Sequence, residues 1–375
     1  MMWWVWLIIG VVSTLYTFLI LGYYVGFSRN KEYGLQSKTN ELIRFSVVIA
    51  ARNEENNIEN LLQDLLNQDY PKSSYEIILV DDNSEDKTAE IAERILCAAT
   101  ISYKIIKSDG GKKKALAEAF KHVQNDIIVF TDADCKIPEH WLWAYRLAFQ
   151  QKNLILISAP VVFLPGKSPL SQIFSLEFSS LVASGAGAIG RGRAIMMNGA
   201  NMAVRREAFL QVEQNEKAMA EASGDDIFLM AGIKKKYGSS AIGFLNSMDA
   251  LVKTPPPRTI KSFINQRIRW TSKSKSYSDR NIIYSALVVF VYNLLTVTVL
   301  LVSLFEGYYF LIYLLLLILK TAIDLPLLIS FQKKYNLKSR IGWIFPLQII
   351  YPFYIVFIGF TGHFLPYSWK GRSNL

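Results

Sequence analysis

Several of the chain's carboxylates arrive in pairs, where an acid is costly to desolvate. Residues 128–138 read IVFTDADCKIP. A greasy run, 127–130, ends abruptly in Thr131, Asp132, Ala133 and Asp134. Two carboxylates at i and i+2 on a turn offer hard oxygen ligands to a hard divalent cation such as Mg2+ or Mn2+. Such a cation keeps positions open for phosphate oxygens. Asp132 and Asp134 are therefore candidate ligands for a metal that in turn holds a diphosphate. Alone, the pair reads as readily as a solvated turn, where Asp is common. Four other stretches add to it. LVDDNSEDKTAEIA, 79–92, places Asp81 and Asp82 where a nucleobase or ribose could donate to them. DGGKKKALAEAF, 109–120, opens with two glycines and three lysines from Lys112, which suits an anion at a helix start or a plain solvated face. It is not a phosphate-binding P-loop, because no Gly-x-x-x-x-Gly-Lys-Ser/Thr is present. SGDDIFLM, 223–230, sets Asp225 and Asp226 at the start of a helix, which alone reads as a cap. QRIRW, 266–270, alone reads as an amphipathic basic stretch at a membrane surface.

The elements that must position these residues alternate. Phe45–Ala51 is a short, fully apolar, β-branched run and reads as a buried parallel strand. A helix follows, capped by Asn53, with Ile58, Leu61, Leu62, Leu65 and Leu66 as its apolar stripe and Tyr70-Pro71 as its stop. Strands are expected at 75–80, 102–106, 127–130 and 154–164, and helices at 85–98, 110–123 and 138–150. This βαβαβ order predicts an α/β fold with a doubly wound sheet. In such sheets ligands bind outside the carboxyl ends of the strands. Asp81-Asp82 and Asp132/Asp134 both fall at such ends.

Charge divides the 375 residues sharply. The chain is uncharged until Arg29, again over 281–305 and 307–319, and carries only His363 over 341–369. Uncharged apolar runs of about 20 residues are long enough to span a bilayer. The expected organisation is an N-terminal transmembrane anchor over 1–28, a soluble domain over 29–280, and a membrane domain over 281–375 with segments near 281–305, 307–331 and 341–365. The last segment holds Pro346, Pro352, Gly359, Gly362 and Pro366, so spanning and re-entrant forms both stay open. The first run lacks the charged start and cleavage site of a signal peptide. Arg29, Lys31, Lys38 and Arg44, with Lys333, Lys334, Lys338 and Arg340, place the soluble domain in the cytoplasm and the Glu306-Gly307 turn outside. The tail, Lys370 and Arg372, breaks that pattern. The net charge of +10 answers to anionic lipid before nucleic acid, and no nucleic-acid module is visible. Cys97 and Cys135 are the two cysteines, and a structural disulfide is not expected in a cytosolic domain. Thr259 to Trp270 reads as a helix lying on the membrane, and Lys320 with Asp324, at i and i+4, as a mutually neutralising pair.

Taken in order, the stretches FSVVIAARNEENNIENLLQDLLNQDYP, ILVDDNSEDKT, GGKKKAL, FTDADC, NGANMAVRREAF, GDD and QRIRW resemble glycosyltransferase family 2 over about 45–270. With the flanking apolar segments, the resemblance extends to its membrane-integral branch: cellulose, hyaluronan and poly-N-acetylglucosamine synthases and ceramide glucosyltransferase-like enzymes. It implies a GT-A-type nucleotide-sugar-binding domain and an inverting enzyme. Asp81 or Asp82 would contact the uracil or ribose of a UDP-sugar, with Lys112 and Asp132 also on the donor side. Asp132 and Asp134 would organise Mg2+ or Mn2+ and the donor diphosphate. Asp226 would be the general base, although Asp225 stands where the family commonly has Glu. Gln266, Arg269 and Trp270, with Asp225, would line the acceptor and diphosphate side. The implied acceptor is a hydroxyl of a membrane lipid or lipid-linked intermediate, and the implied location a bacterial inner membrane. Two alternatives stay open. One is a processive polysaccharide synthase working with a partner subunit. The other is a non-catalytic nucleotide-sugar-binding membrane protein. No Gly-x-Gly-x-x-Gly follows the first strand, which disfavours an NAD-dependent oxidoreductase.

Overall fold

The computed structural model describes residues 3–33, 42–108, 117–164, 166–213, 225–337, 341–362, 364, 367–369 and 372–374. Its chain gathers into two compact units. One comprises Asn30–Leu164 and Met196–Pro255; the other comprises Met1–Arg29, Pro165–Ile195 and Pro256–Leu375.

The first unit is built on strands β1 (Phe45–Ala51), β2 (Tyr75–Asp81), β3 (Ser102–Lys107), β4 (Ile127–Asp132), β5 (Leu156–Ser158), β6 (Val161–Phe163), β7 (Met202–Arg205), β8 (Ile242–Phe244) and β9 (Val252–Thr254). Seven form one mixed sheet in the order β3-β2-β1-β4-β7-β5-β8, and β6 pairs with β9. The left half, β3-β2-β1-β4, is parallel. Its strands are joined by crossover helices such as Ile58–Leu66 and Thr88–Cys97. Every residue of β2 is buried, and all of β1 but Ala50, as a sheet covered on both faces requires. Strand β7 enters antiparallel to both β4 and β5. Helix Trp141–Phe149 buries all but one of its residues.

Two local expectations change. The run 154–164 is two strands in different sheets, split by Ala159-Pro160. Proline has no N–H to give a ladder, and Pro160 instead accepts from Val252 N and Asn201 Nδ2 through its carbonyl. Asn53 is not a helix cap. It takes a left-handed φ of 51° and accepts from Glu85 N–H at 2.9 Å, while the helix begins at Ile58. Asn is among the few residues with a Cβ that enter that region readily.

The second unit is helical: Trp3–Arg29, Pro169–Gly190, Ile260–Thr271, Arg280–Ser303, Tyr308–Lys334 and Ile344–Thr361. Among the described residues, five helices are long and apolar enough to cross a membrane, rather than four. The additional one is Pro169–Gly190, which the sequence reading did not single out. Of its most apolar 18-residue stretch 67% is buried inside the protein, against 22% of that of Trp3–Arg29. Ser168 caps it and Pro169 opens it. These two helices cross at glycines: a Cβ on Gly187 would lie 2.2 Å from the Tyr23 carbonyl oxygen, and one on Gly26 2.0 Å from that of Gly187. Lys320, 2% exposed, donates to Asp324 Oδ2 at 2.6 Å and to Gln348 Oε1 at 2.8 Å. Tyr16 Oη donates to the other Asp324 oxygen at 2.7 Å. Charge inside this bundle is thus paired and hydrogen-bonded across three helices.

Candidate active site

The carboxyl edge of the parallel half-sheet brings the acidic residues of the first unit together. In register, Asp81 on β2 stands beside Ala51 of β1, and Asp132 on β4 beside Ala50. The two aspartates therefore flank one strand, offset from each other by one residue along it and two strand spacings, or roughly 9–10 Å, apart across it at the backbone. Asp81 is 5% exposed and Asp82 1%, whereas Asp132 and Asp134 are half-buried.

The turn after β2 is held by a residue that the sequence reading passed over. Arg52, at the end of β1 and 5% exposed, donates from Nη1 to the carbonyls of Asp82 (2.8 Å) and Asn83 (2.7 Å). Its Nη2 reaches Glu85 Oε1 at 3.1 Å. Asp81 Oδ1 accepts from Ser84 N at 3.3 Å, closing the same turn, with Asn83 at φ 53°. After β4, the buried thiol of Cys135 lies 3.9 Å from Asp134 Oδ1. Burial pushes it up, and the charges of Asp132 and Asp134 add to the shift. That thiol is a packed side chain, not a nucleophile.

Asp226 reaches the same edge through β7. Phe130 of β4 pairs with Met202, the first residue of β7, so residues 198–201 lie at the carboxyl end of β4. There Gly199 N donates to Asp226 Oδ2 at 3.1 Å, while Asp226 Oδ1 accepts from Ile227 N at 2.9 Å. Asn201, fully buried, fixes this loop. Its Oδ1 accepts from Trp141 Nε1 and Tyr145 Oη, both at 2.9 Å, and its Nδ2 donates to the Pro160 and Ala250 carbonyls, both at 2.8 Å. NGAN is thus a turn with a fourfold-bonded anchor. Only the anchor's partners, 40 or more positions away, show why asparagine stands there.

Asp225 opens helix Asp225–Tyr237. Its side chain and the whole of Lys112 lie outside the described residues. Among the described residues, no three His, Cys, Asp or Glu side chains group to hold a metal. Two half-buried carboxylates are what a divalent cation needs from the protein when substrate phosphates and water complete its shell. The donor set at Asp132 and Asp134 fits that case.

QRIRW belongs to the other unit, on helix Ile260–Thr271, which starts with a Thr259/Ser262 capping box. Gln266, Arg269 and Trp270 are half-buried, and Arg267 between them is 3% exposed. The Arg267 guanidinium pairs through Nε and Nη2 with both oxygens of Glu177, which is 1% exposed. Burial opposes the guanidinium's charge, yet the Glu177 carboxylate more than restores it, so its pKa is raised. Tyr354 Oη donates to Glu177 Oε1 at 3.2 Å. The ring of Trp270 lies 4.1 Å from the guanidinium carbon, and Gln266 Oε1 accepts from Arg267 Nη1 at 2.8 Å. Glu177 was legible only as a lone acid in an apolar stretch.

Comparison with known proteins agrees with this picture. Residues 46–211 match the model of Glycosyl transferase family 2. The chain is 32% identical over 134 residues to the beta-monoglucosyldiacylglycerol synthase of Trichormus variabilis, covering 35% of this chain and 28% of that protein. It is 28% identical over 276 residues to a probable glycosyltransferase, YdaM, of Bacillus subtilis, covering 70% of this chain and 63% of that one. The chain thus spans about a quarter of the first relative's length and under two thirds of the second's. Among solved structures, a mannosyltransferase from Pyrobaculum calidifontis in complex with GDP-Man and Mn2+ superposes with a TM-score of 0.59 at 16% identity, covering 95% of this chain and 98% of that one. The stretch 46–211 is a family 2 glycosyltransferase domain, and the seven-stranded mixed sheet, whose edge strand β8 lies beyond that stretch, is that of the GT-A fold.

Proposed function

We propose that the chain moves a sugar from a nucleotide-sugar donor to a hydroxyl of a membrane lipid or lipid-linked acceptor, with inversion at the anomeric carbon. One observation carries this reading: Asp81, Asp132 and the Gly199-bonded Asp226 converge on the carboxyl edge of one sheet. Asp81 or Asp82 contacts the nucleoside, most simply a uridine. Asp132 and Asp134 hold a divalent cation, which would offset charge on the departing nucleoside diphosphate. Asp226 takes the proton of the acceptor hydroxyl as that oxygen attacks the anomeric carbon opposite the leaving group. The Gly199 and Ile227 N–H groups each fix one carboxylate oxygen and leave further lone pairs for the acceptor. Gln266, Arg269 and Trp270 serve the acceptor and diphosphate. The membrane-lipid acceptor is supported by the similarity to the Trichormus beta-monoglucosyldiacylglycerol synthase and by the candidate membrane helices.

The test uses the full chain in bilayer discs with radiolabelled UDP-glucose, UDP-galactose, UDP-N-acetylglucosamine or GDP-mannose, Mn2+ and total lipid extract. Label is expected in the organic phase as one discrete species, abolished by EDTA. Asp226→Asn should lower kcat by about 10²–10⁴-fold. A folded Asp226→Asn protein that binds donor and keeps more than a tenth of the parental rate would sink the base assignment. Label in a high-molecular-weight, glycosidase-sensitive fraction would replace the lipid reading with a polysaccharide synthase.

A further inference from the structure

Arg267, the first arginine of QRIRW, is held on several sides. Its guanidinium is bound in a fork by Glu177, capped by Trp270 at 4.1 Å, flanked by Phe263 at 4.6 Å and bonded to Gln266 at 2.8 Å. Phe263 in turn stacks on Phe174, one turn before Glu177, with centroids 4.2 Å apart and planes 3° apart. Tyr354 donates to the same carboxylate from a third helix. We propose that Glu177 is a positioning residue for sugar transfer: through Arg267 it fixes the orientation of Gln266 and Trp270. This rests on the acceptor-side reading of those two residues given above.

The physical case begins with geometry. A guanidinium bound through two parallel N–H bonds has one orientation, where a lone lysine would have many. Both side chains stacked on or bonded to that plane inherit its orientation. Stability alone does not demand the pair, since apolar residues of similar size often replace a buried ion pair without loss. The pair also links helix Pro169–Gly190 to helix Ile260–Thr271, 90 positions apart in sequence. A carboxylate buried in the middle of a long apolar helix, as Glu177 is, is expensive unless it is paired and hydrogen-bonded.

The deciding variant is the double change Glu177→Leu with Arg267→Met in the full chain, which removes both charges and strands neither. Its melting temperature should stay within a few degrees of the parent. Donor KM should hold, while kcat falls about 10²-fold, the scale of an ångström's misplacement of reacting groups. Arg267→Lys, which keeps the charge but loses the fork, should fall nearly as far. A merely structural pair gives the opposite pattern, either parental kcat in a stable double variant or loss of melting temperature and activity together, and each overturns the inference. Trp270→Ala and Asp226→Asn are run alongside. If both lower transfer while the double variant does not, Glu177 is no positioning residue and the function stands. If both transfer at the parental rate, the acceptor reading itself falls, and the inference falls with it.

Discussion

Asn201 shows how much one side chain can carry. It makes four hydrogen bonds in a fully buried place, and the turn it anchors presents Gly199 N–H to Asp226. Asn201→Ala takes a hydrogen-bond partner from Trp141 Nε1, Tyr145 Oη and the Ala250 carbonyl. At about 1–3 kcal/mol for each buried group left unsatisfied, the loss should be about 3 kcal/mol or more. The measurement is a thermal or urea transition of the variant beside the parent, and a shift of under 1 kcal/mol would contradict it. The acids themselves were legible in the sequence, because Asp81-Asp82 and Asp132/Asp134 follow apolar runs such as 127–130 and Asp225-Asp226 precedes one. Their supports were not. Arg52, Asn201, Glu177 and Arg267 bond to residues 30 to 90 positions away, and local pattern holds no record of such partners.

Helices and strands divide the same way. The parallel half of the sheet was readable because β1, β2 and β4 are short, apolar and β-branched, as strands buried on both faces must be. Helix Pro169–Gly190 was not, since its serines, glycines and Glu177 dilute the apolar signal that made the other long helices plain. Those small residues are the reason that it packs. At the Gly26–Gly187 crossing, the obstacle to any side chain is backbone, which cannot swing aside as a side chain can. Gly26→Leu and Gly187→Leu should therefore each cost several kcal/mol or prevent folding, as overpacking at a rigid contact does. Gly10→Leu, on the same helix with nothing within 4 Å of its Cβ, should melt like the parent. Thermal melts in detergent check this, and equal melting of all three variants would deny the close crossing.

For the molecule as a whole, chain order settles a count that helix length leaves open. A helix that crosses a bilayer delivers the chain to the other side. Yet β6 before Pro169–Gly190 and β7 after it are strands of one compact unit, and only 191–195 separate that helix from the unit's next residue. Five residues without helix cannot recross lipid, where every backbone group needs an internal partner. Helix Pro169–Gly190 is therefore expected to stay on one side, which leaves four candidate spans. Single cysteines at Ser168 and Arg193, in a chain with Cys97→Ser and with Cys135 left buried, should both react with an impermeant maleimide from one side of sealed vesicles. Reaction from opposite sides would restore five crossings. This threading also bears on how the protein can be made. The sheet's strands are interrupted in sequence by a segment of the other unit, so no pair of cuts near the ends releases the sheet alone. During synthesis, β4 must leave the ribosome with one edge unpaired and wait about 70 residues for β7. Its apolar residues stay at risk of aggregation through that interval. Nascent chains stalled near residue 165 should therefore depend on a chaperone or on the membrane itself.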